Sequence, residues 1–148
     1  MLASLRPMCS QWSLFLKRSS CQITTFNQND YERVAEDTLE HLYDYLDQLP
    51  EQVDVEPEYD CSYAMGVFTA KISNKVGTYV INKQSPNRQI WLSSPYSGPK
   101  RYDFIDKKWI YSHDNVSMHS LLQKEFEKIF GNDKIRIIQL EKDLAKRV

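Results

Sequence analysis

Apolar residues recur along this chain at two different spacings, and the change of spacing divides it into elements. Over 30–49 the period is helical: at 100° per residue Tyr31, Ala35, Thr38, Leu42, Tyr45, Leu46 and Leu49 fall on one stripe. Asn29 or Asp30 can cap the start, and Pro50 ends the helix. Downstream, β-branched and aromatic residues alternate with polar ones, predicting strands over 58–63, 66–73, 76–84, 88–93, 101–105 and 108–112. The short links at Ala64-Met65, Asn74-Lys75, Pro86 and Asp106-Lys107 predict antiparallel hairpins, with a longer loop over 96–99. A second helix follows a cap at Asp114, Asn115 or Ser117, turns Met118, Leu122, Phe126, Ile129 and Phe130 inward, and stops at Gly131. Strands bounded by a helix at each end imply an α+β fold. The expected form is a two-layer α–β sandwich, its N- and C-terminal helices packed on one face of a mainly antiparallel sheet.

Parity then sorts the central hairpin. Tyr79 and Ile81 on one strand, with Ile90 and Leu92 on the next, make two apolar pairs for the core. The opposite parity presents Asn82 and Gln84, then Gln89 and Trp91. An indole among amides suits a docking surface, where the ring supplies area and the amides supply hydrogen bonds. The alternative is a Trp partly covered by a neighbouring loop.

Charge changes the picture of the first helix. The 148-residue chain is long enough for one domain with a proper core, and its net charge of −1 hides strong segregation. Asp30, Glu32, Glu36, Asp37, Glu40, Asp44, Asp47, Glu51, Asp54, Glu56, Glu58 and Asp60 are twelve of its twenty acids, set against Arg33 alone in that stretch. Pairs such as Glu36–Glu40 and Glu40–Asp44 each cost roughly 0.2–0.5 kcal/mol through repulsion at i,i+4. Asp47 and Glu51 also crowd the negative end of the helix dipole. A cation or a basic partner would relieve this, and bare carboxylates suit hard cations, Fe²⁺ among them, in shallow hydrated sites. His41 lies at the flank. A merely solubilising acidic face is the alternative.

The first 29 residues contrast with this. They carry Arg6, Lys17 and Arg18 and no acid, so the remainder of the chain has a net charge of −4. Basic, Ser-rich and acid-free, 1–29 fits a mitochondrial transit peptide, with a disordered tail as the alternative, and 30–148 would be the folded domain. Its removal takes Cys9 and Cys21 and leaves Cys61, which excludes a disulfide framework and reads as a small buried hydrophobe. No apolar run reaches the length of a membrane span.

Catalytic signatures are missing: there is no HExxH, Walker loop, GxGxxG or nucleophile elbow, so no catalytic residue is assigned. His113, Asp114 and His119 superficially suggest a metal pair, but a strand-to-helix junction makes capping or loop roles the better reading. Arg88, Lys100 and Arg101 form a small basic cluster on or near the open sheet, yet the domain's net negative charge argues against nucleic acid.

The run Gly77-Thr-Tyr-Val-Ile-Asn-Lys-Gln-Ser-Pro-Asn-Arg-Gln-Ile-Trp-Leu-Ser-Ser-Pro95, continuing through Ser97-Gly-Pro-Lys-Arg-Tyr-Asp103, closely resembles the signature of the frataxin family. The similarity extends over roughly residues 31–130 and departs at Arg88, where Lys is common. The resemblance implies the same α–β sandwich and a C-terminal tail lying in the groove between the helices, a place that Ile135, Ile137, Ile138 and Leu140 could fill, with 145–148 loose. It implies weak binding of iron, Fe²⁺ or Fe³⁺, along an acidic ridge matching Glu36, Asp37, Glu40, Asp44, Asp47, Glu51, Glu58 and Asp60. It also implies that Asn82, Gln84, Asn87, Gln89, Trp91 and Arg101 meet the cluster-assembly machinery, a cysteine desulfurase complex and an iron–sulfur scaffold protein. The expected role is that of an iron donor or an allosteric activator of sulfur transfer in the mitochondrial matrix. The expected state is a monomer, with an iron-dependent oligomer as the alternative. Family members are credited with ferroxidase activity; a slow ferroxidase or iron store, and an acidic adaptor with no metal role, are the competing readings. Nothing in the sequence resembles an enclosed di-iron centre.

Overall fold

The computed structural model describes residues 25–131 and 133–148. Of the segment 1–29 read as a targeting peptide, residues 1–24, with Cys9 and Cys21, fall outside the described residues. Helix α1 runs Gln28–Asp47 and is followed by a 3-10 turn, Leu49–Glu51, with Pro50 inside it. Its cap is Asn27, not Asn29 or Asp30 as the sequence suggests. The Asn27 side chain accepts from the Asp30 N–H at 3.0 Å while the Asp30 carboxylate accepts from the Asn27 N–H at 3.2 Å. This reciprocal pair satisfies two otherwise orphaned donors of the first turn. Phe26 is stacked on Phe104, with ring centroids 5.0 Å apart, and its carbonyl accepts from Arg88 Nη1 at 2.9 Å. The folded domain therefore starts by Phe26, upstream of the boundary at residue 30.

Six strands form one antiparallel meander in sequence order: β1 Asp60–Ala64, β2 Val67–Ser73, β3 Gly77–Gln84, β4 Gln89–Ser94, β5 Gly98–Ile105 and β6 Lys108–Tyr111. Strand β5 begins earlier than its alternation suggests, because Gly98 and Pro99 already pair with Ser94 and Ser93. Strand β6 pairs only from Tyr102 onward, so no β6 residue faces Pro99 to require its missing N–H. Two hairpins turn on residue pairs of positive φ, Met65-Gly66 and Asp106-Lys107, the handedness that matches strand twist. The register corrects one expected pair. Ile81 faces Leu92, but Ile90 stands opposite Lys83, whose side chain therefore leaves the sheet on the helix side.

Helix α2, Met118–Phe130, is capped by Ser117 and ends on Gly131 at φ +57°. A third helix, α3 at Ile137–Arg147, replaces the expected apolar tail and its loose end. Its buried positions Ile137, Glu141 and Leu144 keep helical spacing, but a Glu in the middle of the stripe conceals it in the sequence. The core lies between the three helices and one sheet face. It is built from Tyr31, Leu39, Leu42, Leu46, Phe68, Ile81, Ile90, Tyr102, Trp109, Leu122, Phe126, Ile135 and Leu144. At its centre Trp109 Nε1 donates to Thr38 Oγ1 at 2.9 Å, and the Thr38 hydroxyl in turn donates to the Val34 carbonyl at 2.7 Å. A helix-stripe Thr is thus the polar partner a buried indole needs.

Candidate functional site

Two surfaces answer to the residues singled out in the sequence, and β1 joins them. The first is the outer arc of α1. Repulsion along it is not left entirely bare, because distant residues supply cations to its two flanks. On the sheet flank, Lys83 extends from β3 to Glu36 and to Glu32, the latter at 3.3 Å, while the Tyr63 hydroxyl donates to the other oxygen of Glu36. Lys83 and Tyr63 together hold the Glu36 carboxyl below the usual carboxylate range. Burial alone would lower the Lys83 pKa, but the bonds to Glu36 and Glu32 outweigh it and raise it. Gly66 makes room for this reach: a Cβ there would lie 2.9 Å from Lys83 Cε, and φ +74° already favours glycine. On the other flank, Asp37 Oδ2 accepts from Arg147 of α3 at 3.0 Å, and Asp37 Oδ1 faces His41 Nδ1 at 3.2 Å.

These contacts correct the expectation of a uniformly repelling band. Glu36 and Asp37 already have both carboxylate oxygens engaged by the protein itself. Among the described residues, the side chains of Glu40, Asp44, Asp47 and Glu51 have neither a hydrogen bond nor an ion pair. Glu40 and Asp44 remain an i,i+4 pair of like charges on exposed helix. Glu58 accepts from Asn74 Nδ2 at 2.9 Å. Asp60 lies on the opposite side of the sheet, level with Lys71, because β1 alternates Asp60, Ser62 and Ala64 outward with Cys61 and Tyr63 toward α1. The acids thus run down α1 and around the β1 edge onto the open face. Among the described residues no group of three or more His, Cys, Asp or Glu side chains is arranged to hold a metal ion. What this donor set offers is open, all-oxygen coordination, which suits a hydrated hard cation.

Cys61 is partly buried and not the core residue expected; its Sγ is 3.5 Å from the Tyr59 hydroxyl. Burial, and then the charges of Asp47 and Asp60, push the thiol up to about 11, against the opposing Tyr59 bond. It is a neutral thiol at physiological pH, unsuited to thiolate ligation.

The second surface is the uncovered sheet face. Val67, Asn82, Trp91 and Arg101 occupy one row across four strands. Trp91 is partly exposed; its Nε1 donates to Gln89 Oε1 at 3.1 Å, and the Arg101 guanidinium lies over its ring at 4.7 Å. Gln89 Nε2 in turn donates to Asp103 Oδ1 at 2.9 Å. The indole is therefore held in one orientation by neighbours on both sides, not sealed by a loop. A concavity of about 480 Å³ begins here and runs past Lys100 to Tyr111 and His113. Gln84 pairs with Gln89 at the end of the hairpin, and Asn87 sits exposed in the 3-10 turn Ser85–Asn87.

The expected basic cluster does not assemble. Arg101 stacks on Trp91, Lys100 lies over the Tyr111 ring at 4.3 Å and 3.6 Å from Asp114, and Arg88 holds the Phe26 carbonyl. His113 is a loop residue packed on Tyr111, while Asp114 Oδ1 accepts from the Val116 N–H. His119, set aside with them, is instead buried in α2 with its Nδ1 3.9 Å from Glu141 Oε2. Sequence reasoning missed Lys83, Tyr63 and Arg147 at the acidic surface. Only the parity of Lys83, the same as that of Tyr79 and Ile81, could have placed it beside α1.

Known proteins resemble this chain in sequence and fold. The family model for the frataxin-like domain matches residues 24–132. The chain is 55% identical over 119 residues to mitochondrial frataxin of Caenorhabditis elegans, covering 80% of this chain and 88% of that protein. It is 41% identical over 146 residues to the mitochondrial frataxin homolog of Drosophila melanogaster, covering 94% and 77% respectively. Among solved structures it is similar to a trimeric frataxin from Saccharomyces cerevisiae complexed with ferrous iron. The TM-score is 0.60 and the identity 42%, over 67% of this chain and 87% of that one. Yeast frataxin aligns over 90% of this chain and the whole of its own, with TM-score 0.62 and 32% identity.

Proposed function

This chain belongs to the frataxin family, and from that membership we propose that it is a mitochondrial iron-binding protein of the matrix that assists iron–sulfur cluster assembly. Iron is its cargo, held weakly on the ridge formed by Glu40, Asp44, Asp47 and Glu51, with Glu36, Asp37, Glu58 and Asp60 as flanking acids. The observation that carries this reading is the stretch of α1 whose carboxylates lack counter-charges, beside a sheet face whose Trp91 is presented and oriented. Open carboxylates exchange a hydrated cation quickly, as delivery requires, whereas an enclosed cage would retain it. The mitochondrial names of the relatives and the ferrous complex of the yeast trimer support the assignment of compartment and cargo.

In this reading Asn82, Gln84, Asn87, Gln89, Trp91 and Arg101 dock the scaffold protein, and the acidic band meets a basic surface of the cysteine desulfurase complex. Trp91 suits the centre of such a contact, since its orientation is fixed before binding and little rotamer entropy remains to be lost. No helix among the described residues is long and apolar enough to cross a membrane.

Reconstituted cluster synthesis, with and without this protein and Fe²⁺, is the direct test. Acceleration that requires both supports an iron donor, and acceleration without bound iron supports an activator of sulfur transfer. Trp91→Ala should abolish the acceleration while leaving thermal stability nearly unchanged. Fe²⁺ titration followed by amide NMR should broaden 36–51 selectively; absence of any change would sink the metal role and leave an acidic adaptor.

A further inference from the structure

Helix α3 lies beyond residue 132, where the match to the frataxin-like family model ends, yet it is docked along both other helices. Its attachment differs in kind along its length. At its start, Gln123 of α2 donates to the Ile135 carbonyl at 2.7 Å and accepts from the Ile138 N–H at 3.0 Å. There the Tyr45 hydroxyl of α1 also accepts from the Arg136 N–H at 2.7 Å, and Ile135 and Ile137 are fully buried. In its middle, Glu141 is inserted between Lys108 and His119, and Leu144 in its last turn is buried. Its last turn carries Lys146 and Arg147; Lys146 is spent on Asp143 at 3.1 Å, and Arg147 is left to face α1.

Arg147 places Nε and Nη2 each 3.0 Å from one oxygen of Asp37. The other oxygen faces His41 Nδ1, which also meets the Asp37 carbonyl oxygen at 2.6 Å. Two acceptors on Nδ1 mean that this nitrogen carries the proton, so the ring acts as a donor to Asp37. Asp37 is thereby the ridge carboxylate that α3 fills. Both members of its ion pair with Arg147 are partly exposed, and contacts of that kind are weak and screened by salt. The helix itself is anchored to its end, where Leu144 is buried, Val148 packs on the core and Lys107 Nζ donates to the Ala145 carbonyl at 3.3 Å, so the lightly held part is the Arg147 side chain.

We propose that α3 is an autoinhibitory strap on the acidic ridge, with Arg147 acting as a tethered cation that competes with iron for Asp37. The proposal rests on the reading of the ridge as an iron-binding surface and adds its regulation. While Arg147 is seated, binding is confined to the uncompensated run from Glu40 onward. When a metal ion or a basic partner displaces it, Asp37 joins that run, and the displaced guanidinium becomes available to an acidic group on the partner.

Fe²⁺ titrations of the full chain under anaerobic conditions, by calorimetry and amide NMR, test this on wild type, Arg147→Gln and Arg147→Lys. The signals of Ile137 and Leu144 report whether α3 stays docked. With α3 docked, Arg147→Gln should bind Fe²⁺ about two- to five-fold more tightly, the range expected on removing one exposed competing charge. The amides of Asp37 and His41 should broaden at lower Fe²⁺ in that variant, and Arg147→Lys should stay near wild type. Equal or weaker binding by Arg147→Gln overturns the strap and leaves the ridge standing. Absence of Fe²⁺ binding by every protein overturns the ridge reading and the strap with it.

Discussion

The ammonium of Lys83 rests on the carboxylate of Glu36, linking β3 to α1 across 47 residues of sequence. The contact neutralises one end of the acidic arc and leaves the other end bare. Lys83→Met should retain the stem over Gly66 while leaving Glu32 and Glu36 without their cation. Stability at pH 7 should fall by about 1 kcal/mol, the scale of a partly exposed charged hydrogen bond. Urea denaturation measures it; an unchanged midpoint would mean that solvent already screens the pair.

Thr38→Val keeps the shape of the residue and removes the acceptor for Trp109 Nε1. The indole N–H then has no partner in the core, which costs roughly 1–3 kcal/mol. Thermal denaturation should show the loss, and the Trp109 side-chain N–H resonance should shift. Neither change is expected for Thr78→Val on the exposed face.

Acid should loosen the α2–α3 joint before it affects the sheet. Burial holds His119 down to about 4, with Glu141 opposing the shift and Lys108 completing the group on the β6 side. A histidine whose folded pKa lies below the ordinary 6.5 is stabilising in its neutral form. That stability is present above about pH 6.5 and is lost as pH falls toward 4, since the unfolded chain takes up the proton first. The loss should be on the order of 2–3 kcal/mol. Urea midpoints at pH 7, 5.5 and 4.5 should fall in wild type and fall less in His119→Leu. Parallel slopes in the two proteins would rule this pair out as the cause.

The start of α1 sets where the folded chain can be trimmed. A chain beginning at residue 30 lacks Asn27 and the Phe26–Phe104 stack, whereas one beginning at residue 25 keeps both. The shorter form should be less stable by about 1–3 kcal/mol, combining a lost cap with a lost aromatic contact. Asn27→Ala alone should reproduce about 1 kcal/mol of that. Equal stability of the two truncated chains would show that Phe26 and Asn27 contribute nothing.

Most of the fold was legible because its signals are local. Alternation placed all six strands, and turn residues placed their hairpins, since each pairs with its neighbour in the chain. Parity separated Trp91 from Leu92 correctly for the same reason. Helix α3 is hidden in the sequence, where the resemblance implies only an apolar tail, because Glu141 interrupts the stripe that Ile137 and Leu144 define. The composition of the acidic arc was visible, but its partners were not. Lys83 and Arg147 come from 47 and 110 residues away, and no spacing rule links such positions. The cap lies two or three residues upstream of the expected Asn29 or Asp30, because Asn and Asp are equally good caps and spacing does not choose among neighbours.

A strictly consecutive meander also fixes an order of events. Each strand finds its mate as soon as the following segment is available, so the sheet can zip with little loop-closure entropy. Helix α1 precedes the whole sheet in sequence, yet Asp37 receives its guanidinium only once α3, on the far side of the sheet in sequence, has docked. The Asp37–Arg147 contact, 110 residues apart in sequence, therefore forms late, and among the described residues the acids from Glu40 to Glu51 are still without a counter-charge once it has formed.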